Sequence, residues 1–133
     1  MIGLLYRAAG VVRRRFCAHD RGRVGEDLAH RYLRRRGCTV VARNFRARSG
    51  AGEIDLVAWH GGALVFVEVK TRSSEDYGAP EAAVDLEKRL AIQRAAREYS
   101  RRSGIEWDKT RFDIVSVVLF QPVRIELLRD AFR

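Results

Sequence analysis

Asp55, Glu68 and Lys70 are the residues whose types and spacing could do chemistry together. Between them lies Gly61-Gly62, a favoured pair for a two-residue hairpin loop because both positions need positive φ. With the turn there, His60 faces Ala63. Counting back opposes Asp55 to Glu68 and Glu53 to Lys70. Opposed residues of an antiparallel pair share a face, with Cβ atoms about 5 Å apart. Strand alternation sets Lys70 on the face of Glu68 and sends Val65, Val67 and Val69 to the other. Leu64 and Phe66 share the face of Glu68, so these charges stand on a partly buried surface. Two carboxylates at such a distance share a proton or hold a cation.

Carboxylate oxygens are hard ligands and suit Mg²⁺ or Mn²⁺, which keep several waters and bind through one or two carboxylates plus a phosphate oxygen. Such an ion neutralises a phosphodiester and polarises an attacking water, and a neighbouring lysine orients that water or stabilises charge developing on phosphorus. Asp55, Glu68 and Lys70 therefore compose a site for metal-dependent phosphodiester hydrolysis. Glycoside hydrolysis also uses two carboxylates, but leaves the lysine and the basic composition without a role. The chain has no Gly-x-Ser-x-Gly elbow, P-loop or dinucleotide fingerprint. His19, His30 and His60 lack zinc-ligand spacing, and Cys17 and Cys38 make neither a metal motif nor a disulfide framework.

The elements that must position these residues can be read from periodicity. A helix over Gly22 to Arg36 carries the apolar stripe Val24, Leu28, Tyr32 and Leu33 and stops at Gly37. Glu26 lies near its start, where a carboxylate suits the helix dipole. Thr39 to Phe45 is a first strand. Arg46 to Gly52 follows as a flexible basic loop whose Arg46 and Arg48 read as contacts to backbone phosphates. The hairpin supplies two more strands. A second helix opens at Pro80 and runs to about Arg102, with the stripe Val84, Ala91, Ile92, Ala95 and Tyr99. Lys88 falls inside that stripe: it either snorkels to the edge or points over the sheet towards the carboxylates or a bound phosphate. Arg72, just past Lys70, is a further phosphate contact. Glu53 is a secondary candidate, best suited to pair with Lys70. Strands over Arg111 to Phe120 and Val123 to Leu128 complete an αβββαββ order: an α/β fold with a mixed central sheet and a helix on each side. Residues 1–21 form a basic extension and 22–133 one domain.

The 133 residues carry 26 Lys+Arg against 17 Asp+Glu, a net charge of +9. Arginine dominates, the lysines being Lys70, Lys88 and Lys109. Arginine binds phosphate bidentately and stacks on bases, so the bias points to a nucleic-acid partner. No run approaches the roughly 20 apolar residues of a membrane span. The basic Arg13-Arg14-Arg15 follows the short apolar start rather than preceding it, the wrong order for a secretory signal. A cytoplasmic protein with reduced thiols is expected.

The spacing Asp55…Glu68-Val69-Lys70 resembles the PD-(D/E)xK nuclease superfamily, with Ile54 where the name has proline. More narrowly, Gly25-Glu26-Asp27-Leu28-Ala29, Arg43-Asn44-Phe45-Arg46, Gly52-Glu53-Ile54-Asp55-Leu56-Val57-Ala58, Val65 to Arg72, Arg111-Phe112-Asp113 and Arg129-Asp130-Ala131-Phe132 resemble, in order, the bacterial YraN family. Its members are regarded as endonucleases related to archaeal Holliday junction resolvases. The resemblance implies a restriction-endonuclease-like core, Asp55 and Glu68 as metal-binding carboxylates, Lys70 as the catalytic lysine, Glu26 as a third metal ligand, and a homodimer. The expected function is a Mg²⁺- or Mn²⁺-dependent DNA endonuclease acting at branched structures. The alternatives are a non-cleaving nucleic-acid-binding protein of the same fold and an RNA-processing nuclease.

Overall fold

In the computed structural model, which describes residues 18–73 and 85–133, two helices sandwich a five-stranded sheet. The elements are α1 (Ala18–Arg35), β1 (Thr39–Arg46), β2 (Glu53–His60), β3 (Ala63–Arg72), α2 (Leu86–Ser103), a short 3₁₀ turn (Trp107–Lys109), β4 (Thr110–Val118) and β5 (Arg124–Leu128). The strands lie in sequence order. The β3–β4 pair is parallel and the others antiparallel. A parallel pair needs a crossover connection, and α2 lies within it. This is the mixed α/β, restriction-endonuclease-like architecture expected from the sequence. Among the described residues no helix is long and apolar enough to cross a membrane.

Each face of the sheet has its own core. Ala29 and Leu33 of α1 pack with Leu56, Val65, Val67, Val69, Val115 and Val117. Ile92, Ala95 and Ala96 of α2 pack with Ile54, Val57, Leu64, Phe66, Phe112 and Ile114 on the other face. The strictly alternating β3 thus sends its valines to α1 and Leu64 and Phe66 to α2. Each such side chain, fully buried, stabilises the fold by about 1.5–3 kcal/mol.

Gly61 and Gly62 both have positive φ, 57° and 84°, as a type I′ turn requires. His60 pairs with Ala63, and the ladder runs in that register to Leu56 and Val67. There the regular pairing ends. Ile54 and Val57, three apart, both join the α2-side core, which strict alternation forbids. The pleat of β2 is broken around Asp55. The β2–β3 register stops short of the Glu53–Lys70 pair that the uninterrupted count predicts, and Glu53 keeps its ladder partner Arg46 on the β1 side.

Both helices differ at their starts from the sequence reading. Among the described residues α1 begins at Ala18, four residues before Gly22. It ends as expected: Gly37 has φ 87°, its N–H donates to Arg34 O, and Cys38 N–H donates to Leu33 O, a Schellman stop closed by the Cys38–Leu33 contact. The second helix begins at Leu86, because extended Asp85 caps it by accepting from Lys88 N–H at 2.8 Å. An aspartate N-cap is worth about 1 kcal/mol, and it overrides the start expected at Pro80. Pro80, Val84 and residues 1–17 lie outside the described residues.

Candidate active site

Asp55 sits where the β2 pleat breaks. Val69 N–H, freed from the ladder, donates to Asp55 Oδ2 at 2.8 Å. This anchors the carboxylate across the hairpin beside Glu68 and Lys70. Glu68 is only 5% exposed, the dearest kind of group to bury unless it is paired. Its partner comes from α2: Lys88 Nζ lies 2.6 Å from Glu68 Oε1. Of the two readings left open for Lys88, the structure takes the one that points over the sheet. The Asp85 cap sets the phase, placing Lys88 in the first turn above β3 while Ile92, Ala95 and Ala96 bury one and two turns on.

Glu26, 17% exposed, enters from α1. Asn44, in the left-handed conformation at φ 52°, hydrogen-bonds its carboxylate. Arg43 lies 4.0 Å from it while gripping Asp27 at 2.8 Å. Gly25 lets α1 come this close: a Cβ there would lie 1.8 Å from Thr71 Oγ1. Sequence reasoning missed Asn44 and Arg43 as supports of Glu26; the Arg43-Asn44-Phe45-Arg46 segment was the available signal.

Two adjoining hollows, about 540 and 870 Å³, share Glu26, Asp55, Glu68 and Lys88 on their walls. Lys70 and Arg72 line one, Arg46 and Glu53 the other. Together they form a groove across the carboxylates with arginines on both sides. Arg72 Nη2 donates to Ser116 Oγ at 3.3 Å, and Arg46, 82% exposed, lies 3.6 Å from Glu53. The loop carrying Arg48 is tied to α2: Arg48 N–H and Ser49 N–H donate to Glu98 at 2.7 and 3.4 Å, and Ala47 is buried. Glu98 was invisible to sequence reasoning, since its contact crosses 50 residues.

The electrostatics follow from this crowding. Burial and the neighbouring Glu68 charge push Asp55 up to about 8, against the opposing Val69 hydrogen bond. Burial raises Glu26, opposed by Asn44 and Arg43. Burial and the adjacent Lys88 cation hold Lys70 below the ordinary lysine range. Burial alone would lower Lys88 too, but its bond and charge interaction with Glu68 outweigh this and raise it.

The donor chemistry fits a hard divalent cation. Asp55 and Glu68 repel each other and are relieved by a proton or a cation. Among the described residues no three His, Cys, Asp or Glu side chains form a ready-made cage. Mg²⁺ binds through one or two carboxylates and completes its shell with water and phosphate oxygens, so Asp55 and Glu68 are the donors on which the fit rests.

The profile of the uncharacterised protein family UPF0102, the YraN family, matches residues 25–117, which include Glu26, Asp55, Glu68, Lys70 and Lys88. A UPF0102 protein of Solibacter usitatus is 64% identical over 132 residues, covering 99% of this chain and all of that one. A UPF0102 protein of Koribacter versatilis is 49% identical, covering 84% of this chain and 78% of its own. One of Rhodococcus jostii is 48% identical, covering 84% and 94%. With its family profile matched over residues 25–117 and a relative 64% identical aligned over its full length, this chain belongs to the UPF0102 family.

Proposed function

We propose that this protein is a Mg²⁺- or Mn²⁺-dependent endonuclease that hydrolyses DNA phosphodiester bonds, with branched and junction DNA as its substrate class. The observation that carries the reading is the convergence of Asp55 and Glu68 from the hairpin, Glu26 from α1 and Lys70 from β3 on one groove. Asp55 and Glu68 would hold the ion, with Glu26 completing the set. A bound divalent ion supplies neutralisation of the phosphodiester and a more acidic water.

The remaining chemistry belongs to the chain. Asp55 is oriented by Val69 N–H, so its oxygens need no reorganisation. Lys70 stands beside the carboxylates, where its ammonium orients the attacking water or stabilises charge on phosphorus. A strand lying in the groove would meet Arg72 on one side and Arg46 on the other, with Arg48 at the loop tip. Cutting two symmetric strands of a junction calls for two grooves, which a homodimer provides.

A second reading has one observation in its favour. Lys88 already neutralises Glu68, as it would in a protein that binds nucleic acid without cutting it.

The test is incubation of the full chain with labelled linear, flapped and four-way DNA and the matching RNAs, with and without Mn²⁺, beside Asp55→Ala and Lys70→Ala. Metal-dependent cleavage lost in both variants supports the nuclease, and Lys70→Ala should lower turnover by about 10²–10³-fold. Binding without cleavage on every substrate leaves the binding protein. Cleavage that survives both substitutions removes the site.

A further inference from the structure

A second cavity, of about 260 Å³, opens on the α1 side of the sheet, away from Glu68 and Lys70. Its floor is apolar, from Leu33, Val65, Val67 and Leu127. Its wall is cationic, with Arg36, Arg111 and Arg129 beside His60 against one carboxylate, Asp113. The parallel register builds that wall. Arg111 lies beside Val65 and Asp113 beside Val67, so both share the α1 face with those valines.

Asp113 is fully engaged. Its Oδ1 accepts from Arg111 Nε and from Asp130 N–H, both at 2.9 Å, and its Oδ2 accepts from Arg111 Nη2 at 3.1 Å. It cancels and fixes Arg111, whose Nη2 also lies 3.4 Å from His60 Nδ1. Arg36 and Arg129 are then in excess. Arg36 lies over the Tyr32 ring at 5.3 Å, and among the described residues neither arginine has an ion-pair partner. Leu33 O and Arg34 O in the last turn of α1 are already taken by Cys38 and Gly37 N–H groups.

We propose that this cavity is a binding site for a nucleoside monophosphate, either free or as the 5′-terminal nucleotide of a strand. Arg36 and Arg129 take the phosphate through charge-assisted bonds that suit guanidinium geometry. The apolar floor takes the base, and His60 closes the side. The volume, 260 Å³, lies just below the range of about 300–1,000 Å³ for drug-sized ligands, so it has room for a base with the phosphate held outside by the exposed Arg36 and Arg129, and it excludes a duplex. The site shares no lining residue with the groove and stands whether or not the groove cuts DNA.

The experiment adds inorganic phosphate, deoxyadenosine, deoxyadenosine 5′-monophosphate and a short single strand with or without a 5′-phosphate to the full chain. It follows the His60 ring signals by NMR, assigned with His60→Gln, and affinity by calorimetry. The nucleotide should shift His60. Deoxyadenosine, and separately the Arg36→Ala/Arg129→Ala double variant, should each lower affinity by at least about tenfold. Competition by the 5′-phosphorylated strand alone, and not its unphosphorylated form, assigns the ligand to a strand end; no competition assigns it to the free nucleotide. The proposal is overturned if His60 does not move, or if inorganic phosphate binds as tightly as the nucleotide. It is also overturned if the double variant, folded by circular dichroism, binds like the parent.

Discussion

Lys88 Nζ lies 2.6 Å from Glu68 Oε1, so a cation from α2 rests on the most deeply buried carboxylate of the groove. The pair gives the buried Glu68 carboxylate a counter-charge inside the sheet. It also sets up a competition, because a divalent ion held by Glu68 must displace or share with that ammonium.

Lys88→Met tests this competition. Removing one partner of a fully buried pair costs about 3–5 kcal/mol. Lys88 is 42% exposed, and solvent screening reduces the loss to about 1–2 kcal/mol. Mg²⁺ should then stabilise the variant more than the parent, since a ligand that binds only the folded state stabilises in proportion to its affinity. Urea unfolding with and without Mg²⁺ measures both effects. An equal gain from Mg²⁺ in the two proteins would show that Lys88 does not stand in for the metal.

Two glycines position the carboxylates by making room for them. Gly25 precedes Glu26, and its added Cβ would meet Thr71 Oγ1 at 1.8 Å and Thr71 Cβ at 2.8 Å. Gly25→Ala should push α1 off β3 and cost about 1–3 kcal/mol, the usual range for overpacking. Because it moves Glu26, it should also weaken Mn²⁺ binding in calorimetry. Thr71→Gly in the same chain removes the whole clashing side chain and should recover metal affinity, though not all the stability. Recovery of neither would mean that Gly25 is not holding Glu26 in place. Gly52 meets backbone instead, with Ala91 O at 2.9 Å from its added Cβ, so no single side-chain change should rescue Gly52→Ala.

Where the sequence was readable, a short-range rule governed the structure. Gly61-Gly62 fixes the loop at two residues, and a period of two then determines the register as far as Leu56 and Val67. The helix stop at Gly37 follows from one positive φ. The misreadings come from contacts that no local pattern encodes. Nothing near Ile54 signals that the pleat breaks there, so the uninterrupted count opposes Glu53 to Lys70, a pair that the β2–β3 register does not reach. Asp85 outcompeted Pro80 as the helix start because its side chain satisfies Lys88 N–H, while proline only tolerates such a position. The segments Arg111-Phe112-Asp113 and Arg129-Asp130-Ala131-Phe132 carried resemblance but no mechanism until the fold brought them together.

Asp55 should make the metal-free protein pH-sensitive. Its ordinary value is 3.8, and in the fold burial and Glu68 push it up to about 8. Between these values the folded state holds a proton that the unfolded state has released, so stability falls as pH rises through that window. Asp55→Asn keeps an oxygen for Val69 N–H and removes the titration. Urea midpoints at about pH 5 and about pH 8, without divalent ions, should separate in the parent and converge in the variant. An unchanged slope in Asp55→Asn would assign the sensitivity to another group.

Asp113 should be the most costly single carboxylate to remove. It is 1% exposed, pairs with Arg111 within β4, and ties that strand to the last residues through Asp130 N–H. The same lock includes Ala131 N–H donating to Phe112 O at 2.8 Å and Phe132 stacking on Phe112 at 5.1 Å. Asp113→Ala leaves Arg111 without its carboxylate and should cost about 3–5 kcal/mol in urea unfolding. Asp113→Asn still accepts from Asp130 N–H but not the full charge of Arg111, and should fall between. The Arg111→Ala/Asp113→Ala pair should lose less than the sum of the single variants, because each single change strands the other group. Strictly additive losses would mean that the two residues are not locked together. Mn²⁺ affinity of the folded fraction should stay at the parent value throughout, since Asp113 lines neither hollow of the groove.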